Sequence, residues 1–176
     1  MLYYNILVTA ILFVLMLICF WNLWILRPRK YPRAANNELP FVSVLVPARN
    51  EEHNIENILA SLLNQDYPHY EVIVLNDSSE DATGTIISKL KQRHPELVVL
   101  QGKPLEKGWT GKCYACSQLY RASRGEFILF TDADTTHRSN SLRDSVAIAM
   151  NRRADMVTLF PAMTMKSFAE KLIMPL

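Results

Sequence analysis

Phe127-Ile128-Leu129-Phe130 is a wholly apolar run of four residues, and Asp132 and Asp134 follow it at once. A strand that is apolar at every position, rather than at alternate ones, has to be covered on both faces. That is the condition of a parallel sheet flanked by helices. The pattern recurs along the chain. Phe41-Val42-Ser43-Val44-Leu45-Val46, Glu71-Val72-Ile73-Val74-Leu75-Asn76-Asp77, Leu97-Val98-Val99-Leu100 and Met156-Val157-Thr158-Leu159-Phe160 read as further strands. Helical segments separate them. Ile55, Ile58, Leu59, Leu62 and Leu63 make one apolar face, and Ile86, Ile87 and Leu90 make another. Lys112 to about Ser123 and about Ser139 to Arg152 complete the alternation. The order predicts an α/β, Rossmann-like domain with a mostly parallel sheet and right-handed crossovers. Pro47 is expected to stop the first strand and Asn50 to cap the first helix of this body. Ser78 and Asp81 are spaced as a capping box.

The start of the chain has a different character. Leu2 to Leu26 carries no charge and is broken only by Asn5, Thr9 and Asn22. About 25 residues at about 1.5 Å each exceed the roughly 30 Å hydrocarbon core of a bilayer. Tyr3, Tyr4, Trp21 and Trp24 lie towards its ends, as interfacial aromatics do. The run is too long for a signal peptide, and neither a basic leader nor a small-x-small cleavage site accompanies it. Residues 1–26 are therefore expected to be a transmembrane anchor. Residues 27–40 form a basic juxtamembrane linker holding Arg27, Arg29, Lys30 and Arg33. By the positive-inside rule, the chain is a single-pass protein of the cell membrane with its body in the cytoplasm.

The net charge of +2 is local to that patch: without its four bases, 15 Lys and Arg face 17 Asp and Glu. The body is thus no nucleic-acid binder by charge. Three cysteines make no disulfide framework. Cys113 and Cys116 stand at i and i+3 of an expected helix and read as packing residues, since zinc would need a second pair. His137 reads as a loop histidine.

Three strand ends converge on one rim, at Pro47 to Glu51, at Asp77, and at Asp132 and Asp134. Open α/β sheets bind ligands outside their strand carboxyl ends. There a carboxylate can accept from a base N–H or a ribose hydroxyl. Another can hold Mg²⁺ or Mn²⁺ against a diphosphate. No Gly-x-Gly-x-x-Gly follows the first strand, which excludes the usual dinucleotide fingerprint. Gly111-Lys112 is not the end of a P-loop either, because position 106 is Glu and position 113 is Cys.

Three stretches together resemble the family 2 glycosyltransferases. They are Val42 to Glu52, Val74 to Thr83, and Asp132-Ala133-Asp134. Gly108-Trp109-Thr110-Gly111-Lys112-Cys113-Tyr114-Ala115-Cys116 is similar to the hopanoid- and carotenoid-associated members, which act on membrane lipids. The resemblance covers about Phe41 onwards and implies a GT-A fold at 41–176. It implies an inverting, metal-dependent transfer of sugar from a UDP- or GDP-sugar to a membrane lipid acceptor. Residue by residue, it puts Pro47, Ala48 and Glu51 around the nucleoside and Asp77 on the base. Asp132 would face ribose or donor sugar, Asp134 would ligate Mg²⁺ or Mn²⁺, and Lys112 would lie close to the donor. The family's later carboxylate base and its Gln-x-x-Arg-Trp have no counterpart in these 176 residues. The expectation is a donor-binding half with an incomplete C-terminus and no assigned catalytic base. A catalytically inactive truncated membrane protein, acting as a binding fragment, is the alternative.

Overall fold

The computed structural model describes residues 1–25, 38–159 and Ser167. The chain forms two compact units, Met1–Tyr31 and Pro32–Leu176. In the first, α1 (Leu2–Ile25) is one continuous helix. Its described side chains are exposed along the whole length. By length and composition, Tyr3–Ile25 is long and apolar enough to cross a membrane. Trp21 and Trp24 pack on each other with ring centroids 5.6 Å apart. The four bases between 27 and 33 lie outside the described residues.

The second unit is built on four strands: β1 (Val42–Ala48), β2 (Tyr70–Asn76), β3 (Val98–Gln101) and β4 (Phe127–Phe130). They are joined through α2 (Ile55–Leu63), α3 (Thr83–Arg93) and α4 (Gly111–Ala122), and α5 (Ser141–Arg152) follows β4. All pairings are parallel and the spatial order is β3-β2-β1-β4. The chain steps outward from β1 to β3, then returns to the other side of β1. This reversal puts a crevice between the carboxyl ends of β1 and β4.

The pleat of β1 divides the core in two. Val42, Val44, Val46 and Ala48 face α2, α3 and α5, where they meet Ile58, Leu62, Ile87 and Val146. Leu45 faces the other way, with Ile73 and Leu75, onto Ala115 and Leu119 of α4. Each fully buried Leu, Ile or Val contributes about 1.5–3 kcal/mol relative to exposure. That two-sided burial accounts for the apolar runs of the inner strands β1 and β2, whereas β4, expected to be covered on both faces, is only partly buried and leaves Phe130 48% exposed at the sheet edge.

Pro47 does not stop β1. It sits inside the strand, in register with Leu75. Residues of β1 alternate their backbone groups between neighbours: the Leu45 carbonyl accepts from Thr131 N–H beside β4, while that of Ala48 accepts from Asp77 N–H beside β2. Pro47 therefore turns its nitrogen to the β4 side, past the last pair, Leu45 with Phe130. No ladder bond is lost there. The expected fifth strand is also corrected. Residues 156–159 pair with nothing among the described residues, and Met156 is 82% exposed. Phe160 lies outside the described set.

A buried polar knot ties the amino ends of the sheet to the turn before β4. Ser43 Oγ donates to Glu71 Oε1 at 2.6 Å, and Arg124 Nη2 donates to Glu71 Oε2 at 2.8 Å. Arg124 N–H reaches Glu71 Oε1 at 3.0 Å, and Gly125 N–H reaches Ser43 Oγ at 2.8 Å. A Cβ on Gly125 would collide with the Ser43 nitrogen and lie 2.6 Å from the Phe127 oxygen, so only glycine fits this approach. Burial pushes the Glu71 carboxyl up, but the hydrogen bonds from Ser43 and Arg124 outweigh it and hold the group below its ordinary value. A depressed carboxyl contributes stability above the unfolded pKa and loses it as pH falls through the folded one. Glu71→Gln should therefore cost about 1–3 kcal/mol near neutrality. The gap to wild type should close as the pH is taken below the ordinary carboxylate range, as read by denaturant unfolding at a series of pH values.

Candidate functional site

The loops after β1 and β2 are laced to each other before any ligand arrives. Asn50 and Ser78 both adopt left-handed backbone, each at φ 55°. Asn50 is consequently not the helix cap. Its N–H donates to Ser79 Oγ at 3.1 Å, and its Oδ1 accepts from Glu80 N–H at 2.9 Å. A second reciprocal pair follows: Glu52 N–H donates to Asp81 Oδ2 at 3.1 Å and Ala82 N–H donates to Glu52 Oε2 at 3.0 Å. Buried Thr83 accepts from Glu51 N–H at 2.8 Å. The Ser78–Asp81 capping box does not form, because α3 begins five residues after Ser78. Asp81 instead serves both loops, its Oδ1 accepting from Thr83 N–H at 3.0 Å. Desolvation raises the Asp81 carboxyl, and hydrogen bonds from Thr83 and Glu52 more than reverse this, leaving it below its ordinary value.

This scaffold forms one wall of a cleft of about 250 Å³ at the carboxyl ends of β1, β2 and β4. All seven residues singled out in the sequence line it: Pro47, Ala48, Glu51, Asp77, Lys112, Asp132 and Asp134. Arg49, Gly111, Ala115 and Ala133 complete the lining. Of these, Gly111 and Ala115 carry no polar side chain that a sequence reading could have found. Lys112, in the first turn of α4, bridges the cleft to Asp132 Oδ1 at 2.7 Å. That hydrogen bond, with the charge of Asp132, raises the Lys112 pKa. Both side chains are more than half exposed, so the pair contributes about 0–1 kcal/mol. The Asp134 carboxylate makes no hydrogen bond or ion pair among the described residues. Ala133 between them is buried.

Charge decides what this cleft can take. Glu51, Asp77, Asp132 and Asp134 oppose only Arg49 and Lys112, which leaves an excess of two acids. An anion entering unaccompanied would be repelled. Among the described residues no cluster of three or more His, Cys, Asp or Glu could hold an ion alone. One or two carboxylates, with substrate phosphates completing the shell, is how Mg²⁺ is usually held, and its oxygen chemistry extends to Mn²⁺. The residues fit such an ion. Cys113 is exposed, whereas burial of half-buried Cys116 pushes its thiol up, which suits packing rather than reactivity.

A parallel α/β domain with a cleft at its strand reversal belongs to the class of open sheets that bind ligands at the strand carboxyl ends. Comparison with known proteins narrows it. The profile of glycosyl transferase family 2 matches residues 43–170. The chain belongs to glycosyltransferase family 2. It is 35% identical over 133 residues to a beta-monoglucosyldiacylglycerol synthase of Trichormus variabilis, covering 74% of this chain and 28% of that protein. The mannosyltransferase PcManGT of Pyrobaculum calidifontis, solved with GDP-Man and Mn2+, superposes with a TM-score of 0.62 at 28% identity. The match covers 82% of this chain and 42% of that one. S. aureus TarS 1-349 with UDP-GlcNAc gives 0.52 at 33% identity, over 64% and 32% of the two chains. The fold is GT-A, and the chain spans well under half the length of each of these relatives.

The lacing of the first wall is testable apart from any ligand. Thr83→Val keeps the volume and strands Glu51 N–H, so it should cost about 1–3 kcal/mol in denaturant unfolding, while Thr83→Ser should keep nearly all the stability.

Proposed function

We propose that this chain binds a UDP- or GDP-sugar together with Mg²⁺ or Mn²⁺, as the donor half of an enzyme that glycosylates a membrane lipid. The observation that carries the reading is the convergence of seven sequence-selected residues on one acidic cleft at the β1–β4 reversal. Asp77, at the end of β2, accepts from the nucleoside base. Pro47, Ala48 and Glu51 flank the nucleoside. Lys112 presents its charge to the diphosphate beside the first turn of α4, where free N–H groups also favour an anion. Asp132 faces ribose or donor sugar. Asp134 holds the ion, which when bound neutralises charge developing on the leaving nucleoside diphosphate.

Transfer is inverting in this reading. The acceptor hydroxyl or carboxyl loses its proton to a base. Its oxygen forms the new bond to the anomeric carbon as the bond to the diphosphate breaks in line on the opposite side. No residue described above is assigned as that base. The lipid acceptor is supported by the diacylglycerol-linked name of the relative and by the apolar α1. The hopanoid or carotenoid acceptor implied by Gly108 to Cys116 is the narrower form of the same proposal.

Calorimetry on the full chain in detergent, with UDP and GDP and with or without Mn²⁺, tests the donor site. Metal should strengthen nucleotide binding in wild type. Asp134→Ala should abolish that gain, while Asp77→Ala should weaken binding with or without metal. A wild type that binds neither nucleotide refutes the reading.

We further propose that residues 1–26 span the cell membrane and that the domain from 41 onwards is cytoplasmic, with 27–40 as the basic linker. A reporter that fluoresces only in the cytoplasm, fused after Leu176, should be bright. A dark but expressed fusion reverses the orientation.

A further inference from the structure

The loop from Thr131 to Ser141 carries both cleft aspartates, yet the hydroxyls of Thr131 and Thr135 and the ring of His137 are drawn at least partly out of solvent. Thr131 is buried, and Thr135 and His137 are half-buried. Thr135 Oγ1 donates to the Asp132 carbonyl at 2.8 Å. Thr131 Oγ1 lies 2.9 Å from Thr135 Oγ1 and 2.8 Å from His137 Nε2, and His137 Nδ1 lies 3.4 Å from Ser141 Oγ. Burial lowers the His137 pKa. A continuous set of side-chain contacts thus joins His137, Thr131 and Thr135 to the Asp132 carbonyl.

Both ends of the loop are pinned. Thr131 N–H donates to the Leu45 carbonyl at 3.1 Å, and His137 N–H donates to Ser61 Oγ at 3.2 Å. Gln65 clasps the far side, donating to the Arg138 carbonyl at 2.9 Å and accepting from Leu142 N–H at 3.0 Å. Between these ties stands the crest, Asp132 to Asp134, with buried Ala133 at its centre. The peptide joining Asp132 to Ala133 is fixed by the chain of hydroxyls, and that peptide sets where the two carboxylates point.

We propose that Thr131, Thr135 and His137 are positioning residues that aim the Asp132 and Asp134 carboxylates at the ion and the donor. The inference rests on the donor-site reading above. None of the three need touch a ligand. They remove freedom that binding would otherwise have to freeze out. Groups of this kind, acting on a ligand through the residue that holds it, change metal affinity by about 10- to 100-fold.

The test is calorimetry of the full chain with GDP and UDP, read as the gain in nucleotide affinity that Mn²⁺ confers. Thr131→Val and Thr135→Val keep the shape and remove the hydroxyl. Each should reduce that gain by about 10- to 100-fold, with a smaller effect on metal-free affinity. Thr131→Ser and Thr135→Ser, which restore the hydroxyl, should restore the gain. Thermal unfolding is followed alongside, and if Thr131→Val does not fold, the half-buried Thr135 pair decides alone. Valine variants that keep the full gain, or serine variants no better than valine, overturn the proposal while leaving the donor site standing. Equal loss of metal-free and metal-dependent binding overturns it too, since that is general damage. A wild type that binds no nucleotide removes the donor-site reading and this inference with it.

Discussion

β1 has neither a free edge nor a free face, and the rest of the domain follows from that. Its two sides are occupied by β2 and β4, and its two faces by α4 and by the layer of α2, α3 and α5. A central strand so enclosed can meet solvent only at its ends. The amino end is closed by the knot of Ser43, Glu71 and Arg124. The carboxyl end is where the chain reverses direction across the sheet, and among the described residues nothing fills the crevice there. The site is the opening left by the packing of the strand.

That constraint also explains the distribution of polar order. Groups at the carboxyl ends would be mobile if left to themselves, as loop residues usually are. Here each loop is tied to a neighbour as well as to itself. The β1–α2 loop is bonded to the β2–α3 loop through Asn50, Glu51 and Glu52. The loop after β4 is bonded to α2 through Ser61 and to Gln65, two residues beyond the end of that helix. Cross-bonding of this kind lets exposed carboxylates hold position without being buried. Burial would favour their neutral forms and defeat the purpose.

The parts of this architecture legible in the sequence were those carried by local pattern. Unbroken apolar runs announced β1, β2, β3 and β4, and the acids just beyond β2 and β4 marked the rim. What the sequence did not disclose depends on partners far along the chain. Asn50 is a plausible helix cap on local grounds, and only the presence of Ser79 and Glu80 across the gap gives it another use. Pro47 is an ordinary strand breaker until one knows that β4 ends opposite Leu45. Met156 to Phe160 has the same local pattern as β3, but a strand exists only with a neighbour, and residues 156–159 have none among those described. His137 looks like an ordinary loop histidine because nothing in the run Thr131 to His137 says that the hydroxyls of Thr131 and Thr135 turn towards it.

The electrostatics of the cleft bear on why a cation belongs to the proposed reaction. Lys112 is the one lysine in the lining, and it is already engaged with Asp132. The pair is exposed and worth about 0–1 kcal/mol, so a diphosphate could displace Asp132 from it at small cost. Doing so would uncover the Asp132 charge beside Asp134, whose carboxylate feels Lys112 only at a distance and makes no ion pair among the described residues. Two carboxylates would then face the same incoming anion across a short loop. Lys112 can neutralise the phosphate or Asp132, but not both. A divalent ion taken up on Asp134 resolves the conflict, because one ion can satisfy the carboxylate and the phosphate together. In this reading the acidic excess is a selective device: the cleft holds a bare nucleoside diphosphate weakly and the same molecule more tightly once it arrives with its cation.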